Sequence, residues 1–371
     1  MKKILIIGGA GFVGSHTADA LVEQGHSVTV FDNLTPQVHP SGVASYLTSE
    51  VEFVKGDVRD LRALSRVVAG ADAIYHHAAA VGVGQSMYEI AAYVETNIQG
   101  TANLLQAILD TRAPIEKLIV ASSMSIYGEG RYLCPQCGEV APTPRTGELL
   151  KQKRWELVCV DCNTRLHPAP TDEKKPLQCT SIYALSKKAQ EEMVLLFGQT
   201  YGIPAVALRY FNIYGSRQAL SNPYTGVAAI FASRLLNGNP PIIFEDGLQM
   251  RDFVHIRDIV EANLLALSRS GADGMALNVG SGDPVSICQV AKEIARRLGS
   301  DIQPRISGTH RAGDIRHCYA DISKISLALG YSPRVSFAEG VAELVSWLES
   351  QQAHDGTEEA MRQLAARGLV A

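Results

Sequence analysis

The chain of 371 residues has a formal net charge of −4 and is 46% apolar and 19% charged, a globular composition with enough length for one or two cored domains. It excludes global disorder and leaves no basic face for a nucleic acid backbone, and no apolar run approaches the roughly 18 residues that span a bilayer. Expected partners are therefore small molecules or a second copy of the chain, with no nucleic acid and no membrane, and the expected location is cytoplasmic.

The opening "MKKILIIGGAG" places two lysines before an apolar run that stops at Gly8, too short for a secretory leader. Short β-branched runs ("KILIIGG", "HSVTVFD", "VEFVKGD", "DAIYHHAA", "KLIVASS", "PAVALRYFN") then alternate with stretches of helical period such as "HTADALVEQG" and "NIQGTANLLQAILDT". Continuous apolar strands between helices imply a parallel sheet covered on both faces. Beyond Asn212 the pattern loosens, with helices expected at 226–236 and 287–298. The expected domains are residues 1–210, interrupted at 131–168 by a cysteine-rich insert, a smaller α/β lobe at 211–350, and a tail at 351–371 with a helix from about 356.

Gly8, Gly11 and Gly14 form a GxxGxxG pattern between the first strand and the first helix. Glycine there lets the backbone turn tightly and approach a pyrophosphate, whose charge rests on the free N–H groups at the helix start, Phe12 and Val13. A glycine-rich turn alone is weak evidence, but the context is that of a dinucleotide site. Asp32 ends the second strand at the distance where a carboxylate takes the adenosine ribose hydroxyls and repels a 2'-phosphate, which favours NAD. Asn33 adjoins it, Asp57 and Val58 are expected at the adenine edge, Ala78 and Ala79 allow close backbone approach, and Asn97 is placed with them. The sheet is thus expected to be of the Rossmann type, doubly wound. His76 and His77 read as packed side chains rather than metal ligands.

Tyr183 and Lys187 make YxxxK, which on a helix brings both side chains to one face. An ammonium beside a phenol, with a positive nicotinamide ring nearby, favours phenolate, so Tyr183 can exchange a hydroxyl proton, and Ser123 suits a second hydrogen bond to the same oxygen. Each residue alone has an ordinary reading as a cap or helix face; together, downstream of a dinucleotide pattern, they make a reaction centre.

On these residues the chain resembles an extended short-chain dehydrogenase/reductase of the nucleotide-sugar epimerase/dehydratase family, from Lys3 to about Glu349. "RYFNIYG", "RDFVHIRD", "NVGSG" and "RAGDIRH" add to the likeness. The resemblance implies a nucleotide-diphosphate sugar as substrate, contacts to it from Ser123, Met124, Ser125, Asn212, Arg251, Arg311 and Asp314, and a homodimer packed through helices at 93–109 and 186–200. Guanidinium forks suit the diphosphate. Dehydratases of the family carry an adjacent Asp-Glu pair where this chain has Met124 and Ser125, and its decarboxylases a Glu in the same stretch. What remains is oxidation and re-reduction at one carbon: a 4-epimerase, an isomerase passing through a 4-keto sugar. The alternatives are a reductase of keto sugars and a non-catalytic NAD-binding scaffold.

Cys134, Cys137, Cys159 and Cys162 form CPQC and CVDC, two knuckles fit for a four-thiolate zinc site. Four thiolates leave no open position, so zinc there is structural; disulfides or free thiols are the alternative. The insert lies between "SSMSIYG" and "YALSK", where it can shape the sugar pocket or bind a neighbour. Cys179, Cys288 and Cys318 read as packing residues. The insert resembles that of a subgroup acting as dTDP-L-rhamnose 4-epimerases in bacterial polysaccharide pathways, while UDP-glucose and UDP-glucuronate stay open as substrates.

Overall fold

A computed structural model describes residues 1–42, 44–224, 226–351 and 354–371. The apolar runs become strands β1 (Lys3–Ile7), β2 (Ser27–Asp32), β3 (Glu52–Lys55), β4 (Ala73–His76) and β5 (Lys117–Ser123), followed by Ala205–Tyr210 and Met275–Val279. Every residue of β4 and β5 is buried, which is what continuous rather than alternating hydrophobicity dictates. The strands pair in parallel in the order Met275–Val279, Ala205–Tyr210, β5, β4, β1, β2, β3. The order reverses between β1 and β4, so a crevice opens beyond their carboxyl ends.

The two faces divide by residue parity. Ile4 and Ile6 of β1 pack with Leu21 of α1 (Phe12–Glu23) and Ile259 of helix Ile256–Ser268. Leu5 and Ile7 face Leu64, Leu104 and Val194, from helices Leu61–Val68, Gly100–Thr111 and Ile182–Tyr201. Each such side chain contributes about 1.5–3 kcal/mol by burial. The stretch read as one helix from Asn97 onward begins in a π-helical turn, Val94–Gln99, and becomes α-helical only at Gly100. A side chain at Gly100 would come within 2.6 Å of Val58.

After Tyr210 the chain builds a second core around Tyr214, Phe253, Val290 and Leu344. Short strands Asn212–Tyr214, Met250–His255, Pro284–Ser286 and His317–Cys318 lie among helices Val227–Leu236, Ile287–Arg297 and Phe337–Leu348. Two of these helices start at capping boxes, Ser286 with Gln289 and Ser336 with Glu339. Strand Met275–Val279 leaves this half of the chain to complete the main sheet. The insert folds as a three-stranded antiparallel sheet of Arg131–Cys134, Gly138–Val140 and His167–Ala169, with the short helix Gly147–Lys151. Among the described residues no helix is long and apolar enough to cross a membrane.

The contact between α1 and β1 has no room for a side chain at Gly14. A Cβ there would lie 2.5 Å from the Gly8 carbonyl oxygen and 2.6 Å from the Gly9 Cα, and backbone cannot rotate away. Gly14→Ala should therefore cost about 1–3 kcal/mol, as overpacking does, read by urea unfolding.

Candidate active site and cysteine cluster

At the end of β1, Gly8 has φ +79° and lies so close to the β4 side of the crevice that a Cβ would meet the Ala78 nitrogen at 2.5 Å. None of the described side chains caps α1, so the N–H groups of its first turn, at Phe12 and Val13, are open to an anion. A Cβ on Gly11 would meet only the Gly8 oxygen, at 3.3 Å, which leaves a backbone-lined cradle of the shape a pyrophosphate requires. Asp32 faces this turn, accepting from the amides of Ala10 at 3.1 Å and Leu34 at 2.9 Å. Asn33 donates to Asp57 at 3.0 Å. Hydrogen bonds from Arg59 hold the Asp57 carboxyl well below the usual carboxylate range. Val58 is buried beside it.

Asn97 acts as a clamp. Its side chain accepts from the Ala80 amide at 2.7 Å and donates to the Ala80 carbonyl at 3.1 Å and to Ser186 at 2.8 Å, tying the loop of Ala78 and Ala79 to helix Ile182–Tyr201. The histidine pair packs as expected. His76 bonds Thr101 at 2.8 Å and Gln190 at 3.1 Å, and His77 stacks on Tyr75 with ring centroids 5.5 Å apart. Burial pulls both imidazoles down to about 3, so they are neutral. Both ring nitrogens of His77 are buried without a partner among the described residues.

Ser181 caps helix Ile182–Tyr201, two residues before Tyr183, and Ser86 accepts the Tyr183 amide at 3.0 Å. Ser123 ends β5, where it caps the 3-10 turn Met124–Tyr127 and accepts from the Ser125 hydroxyl at 2.9 Å. Its hydroxyl lies near enough to the Tyr183 phenol to favour the ionised form. Burial pushes that phenol above its ordinary value, with Ser123 working in the opposite direction. Lys187 is buried, donates to Gln190 at 2.7 Å, and is pulled down to about 7 by burial against the attraction of Glu191. Ser123, not Lys187, is the neighbour that lowers the phenol, and burial acts against the charged form of both Tyr183 and Lys187.

A buried network behind the centre is invisible in any local motif. Glu191 accepts from Ser122 at 2.6 Å and takes the Arg209 guanidinium at 2.5 Å, and Arg209 also donates to the Tyr127 hydroxyl at 2.8 Å. It fixes β5, its 3-10 turn and the tyrosine helix relative to one another. Only the neighbouring "QEE" and "LRY" hint at it in sequence.

The substrate-side residues divide. Asn212 carries a buried Oδ1 with no partner among the described residues. Arg251 directs its guanidinium to the carbonyls of Met250 and Arg316, both at 2.9 Å, and Ile315 at 2.6 Å. Arg311 lies over the Phe244 ring at 4.7 Å and pairs with Asp314 at 2.8 Å. Thr180 donates to the Gly313 carbonyl at 2.8 Å, which holds the Arg311–Asp314 loop next to the start of the tyrosine helix. Val83, Gly84 and Met87 share a small cavity with Arg311 and Asp314, and Ser86, in the same turn, accepts the Tyr183 amide.

The four cysteine sulfurs lie within 4.8 Å of one another, Cys134 to Cys162 at 3.4 Å and Cys137 to Cys162 at 3.6 Å. A tetrahedron with metal–sulfur bonds of about 2.3 Å has edges of about 3.8 Å, so the set fits. Each knuckle turns through a left-handed residue after its second cysteine, Gly138 at φ +78° and Asn163 at φ +57°. Tyr132, Leu157 and Leu166 form the insert's small core. Beyond the knuckles the insert grips the half of the chain after Tyr210: Arg145 bonds Glu245 at 2.7 Å and the Asp314 carbonyl at 3.0 Å, and Glu156 pairs with Arg316 at 2.6 Å. Arg316, fully buried, also meets Glu245 and Asp246. Such charges are tolerated in the interior because each is paired.

The family model described as the NAD dependent epimerase/dehydratase family matches residues 4–148 and 162–280. The chain belongs to that family. It is 34% identical over 354 residues to a dTDP-L-rhamnose 4-epimerase of Burkholderia thailandensis, covering 94% of this chain and 96% of the relative. Among solved structures it is similar to UDP-N-acetylglucosamine 4-epimerase from Methanobrevibacter ruminantium in complex with UDP-N-acetylmuramic acid, with a TM-score of 0.76 and 31% identity over 95% of this chain and 99% of that one. The UDP-glucose 4-epimerase of Thermus thermophilus in complex with NAD gives a TM-score of 0.75 and 30% identity, covering 94% of this chain and 100% of that one. The protein is thus an NAD-dependent isomerase of the nucleotide-sugar 4-epimerase type, and the cradle at Gly8, Gly11 and α1 fits that cofactor.

Lys187 gives a pH test. Its folded value of about 7 lies below the unfolded value near 10.4, so the unfolded chain binds more protons between these limits and this group's penalty, full below pH 7, fades as pH rises towards 10. Lys187→Met should gain stability relative to the native chain most at pH 6 and least at pH 9, by urea unfolding at both. The same variant should lose at least about 100-fold in turnover.

Proposed function

We propose that the protein inverts the configuration at C4 of a nucleotide-diphosphate sugar, with dTDP-L-rhamnose as the preferred substrate and dTDP-6-deoxy-L-talose as the product. The observation that carries the reaction type is the Ser123–Tyr183 pair at the end of β5, followed by Met124 and Ser125 rather than by carboxylates. Without carboxylates at these two positions, elimination across C5 and C6 lacks the acid and base that dehydratases of the family carry there. The thymidine sugar is supported by the Burkholderia relative. UDP-glucose and UDP-glucuronate are the second reading, because UDP-sugar epimerases share the fold over nearly the whole chain.

When bound, NAD supplies the acceptor and later the donor of a hydride at C4. Tyr183 as phenolate takes the C4 hydroxyl proton, and Ser123 donates to the same oxygen, holding it as it becomes a ketone. Lys187, when charged, stabilises the phenolate through the fold it shares with Gln190 and Glu191. Asn212, with its unpartnered Oδ1, and the loop of Arg311 and Asp314 hold the nucleotide end while the sugar turns its other face to the cofactor. Tyr183 then returns the proton. We assign Asp32 and Asn33 to the adenosine ribose, Asp57 and Val58 to the adenine edge, and Ala78 and Ala79 to close approach along the cofactor. Arg251, committed to three carbonyls, is proposed for the diphosphate only if it exchanges one of them.

Zinc at Cys134, Cys137, Cys159 and Cys162 is proposed as structural: its four thiolates leave no position for substrate, and the insert that it would hold carries Arg145 and Glu156 to the substrate lobe. The homodimer is also a proposal. Leu185, Leu196 and Tyr201 on the tyrosine helix and Leu109 on its neighbour are exposed apolar residues, a stripe that a second copy would cover.

Purified protein incubated without added cofactor against dTDP-L-rhamnose, UDP-glucose and UDP-glucuronate, with products resolved by NMR, should convert the first to its C4 epimer, and Tyr183→Phe should lose conversion while keeping NAD. Conversion of none by NAD-loaded protein would refute the proposal. Elemental analysis should give one zinc per chain, lowered in Cys134→Ser, with NAD content retained.

A further inference from the structure

Residues 356–371 take no part in the chemistry above, yet they cross the opening between the two lobes. Their root is fixed where Asp355 pairs with the buried Arg234 at 3.1 Å and accepts from Asn239 at 2.9 Å. Helix Thr357–Ala366 then buries Ala360 and Leu364. Leu364 rests on Gly84, where a Cβ would come within 3.1 Å of its Cδ2 atom. Gly84 belongs to the turn whose Ser86 holds the Tyr183 amide. Beside it, Gln363 accepts from the Tyr88 hydroxyl at 3.3 Å, and the Arg367 guanidinium lies 4.2 Å from the centre of the Tyr88 ring.

The last residues swing to the other lobe and pair with it edge to edge. His310 donates to the Ala371 carbonyl at 2.8 Å, Ala371 donates back at 3.1 Å, and Ala312 donates to the Leu369 carbonyl at 2.9 Å. The backbone so engaged is the one that carries Arg311, whose own pairing with Val370 is an antiparallel bridge. Between the tail and the two lobes lies the small cavity that has Gly84 and Met87 on one side, Arg311 and Asp314 on another, and Leu364 and Leu369 as its cover.

We propose that residues 356–371 are a substrate strap: they part to admit a nucleoside diphosphate sugar and, closed, supply Leu364 and Leu369 as the apolar wall of the pocket whose charged wall is Arg311 and Asp314. The inference rests on the assignment of Arg311 and Asp314 to the substrate under the proposed function. The tail is suited to opening. Its terminal pairing is a few backbone hydrogen bonds at an edge, and its helix is short, held by the buried Ala360 and Leu364, by Gln363 and Arg367 on Tyr88 and by Glu358 near Arg234, few enough contacts to open locally while the rest of the fold stays intact. It is also suited to closing, because a sugar that turns over as a ketone must be kept from water and from escape.

The test compares full-length protein with a form ending at Asp355 and with Leu364→Asp, which undocks the helix without shortening the chain. NAD content, thermal melting, calorimetric binding of dTDP and UDP, and hydrogen exchange of 356–371 are measured for each. The expected result is unchanged NAD content, at least tenfold weaker nucleoside diphosphate binding in both variants, and slower exchange of the tail in full-length protein on adding dTDP or UDP. Equal affinity in Leu364→Asp with unchanged tail exchange overturns the strap and leaves the epimerase reading intact. Full-length protein that keeps NAD but binds neither dTDP nor UDP overturns the substrate assignment and the strap together. If the shortened form loses NAD or melts early, Leu364→Asp and the exchange measurement decide.

Discussion

The close approach of β1 to the loop after β4 is the constraint on which the rest depends. The sheet order reverses between these two strands, and only a glycine at position 8, in left-handed conformation against Ala78, lets the chain turn there without filling the crevice. The same turn aims α1 so that its uncapped N-terminus faces the gap. Asn97, on a π-helical turn, then fixes the Ala78–Ala80 segment to the tyrosine helix. A helical irregularity that would be a defect elsewhere thus sets the distance between cofactor cradle and reaction centre.

Burial has two opposed effects at that centre. It brings Tyr183, Lys187 and Ser123 into one dry site where hydrogen bonds are strong, and it disfavours the charges on which proton transfer relies, raising the phenol and bringing the lysine to about 7. Glu191 mediates between these effects. It is neutralised by Arg209, bonded by Ser122, and it is the group that favours charge on Lys187. On the proposed reaction, bound NAD would add a second positive charge favouring the phenolate beside that of Lys187, and so would tie proton transfer to the oxidised cofactor.

How much was legible in the sequence follows from range. The glycine pattern, Asp32, the buried strands and YxxxK are local and each has a steric or electrostatic reason to stand at its spacing, so sheet, crevice and tyrosine helix could be read directly. The four cysteines were legible because ligand spacing is local too. The carbonyl partners of Arg251 were not: those at 315 and 316 lie about 65 positions away in the chain. Glu191, Arg209 and the partners of Arg145 were hidden for the same reason. The helix of the tail was legible, but its docking was hidden because the final pairing joins residues 310–312 to 369–371, and three residues carry no strand pattern.

The cysteine insert and the tail meet at one segment. From one side Arg145 holds the Asp314 carbonyl, Trp155 packs near His310 with ring centroids 6.4 Å apart, and Glu156 takes Arg316. From the other side the tail pairs with His310 and Ala312. The insert's grip consists of buried ion pairs that are costly to break, whereas the tail's consists of edge hydrogen bonds that open readily. One therefore behaves as a fixed support and the other as a movable one for the loop carrying Arg311 and Asp314. The four clustered cysteines suit the fixed role: they join Tyr132, Leu157 and Leu166 in the small core of the insert, and the zinc proposed for them would make that segment more rigid still.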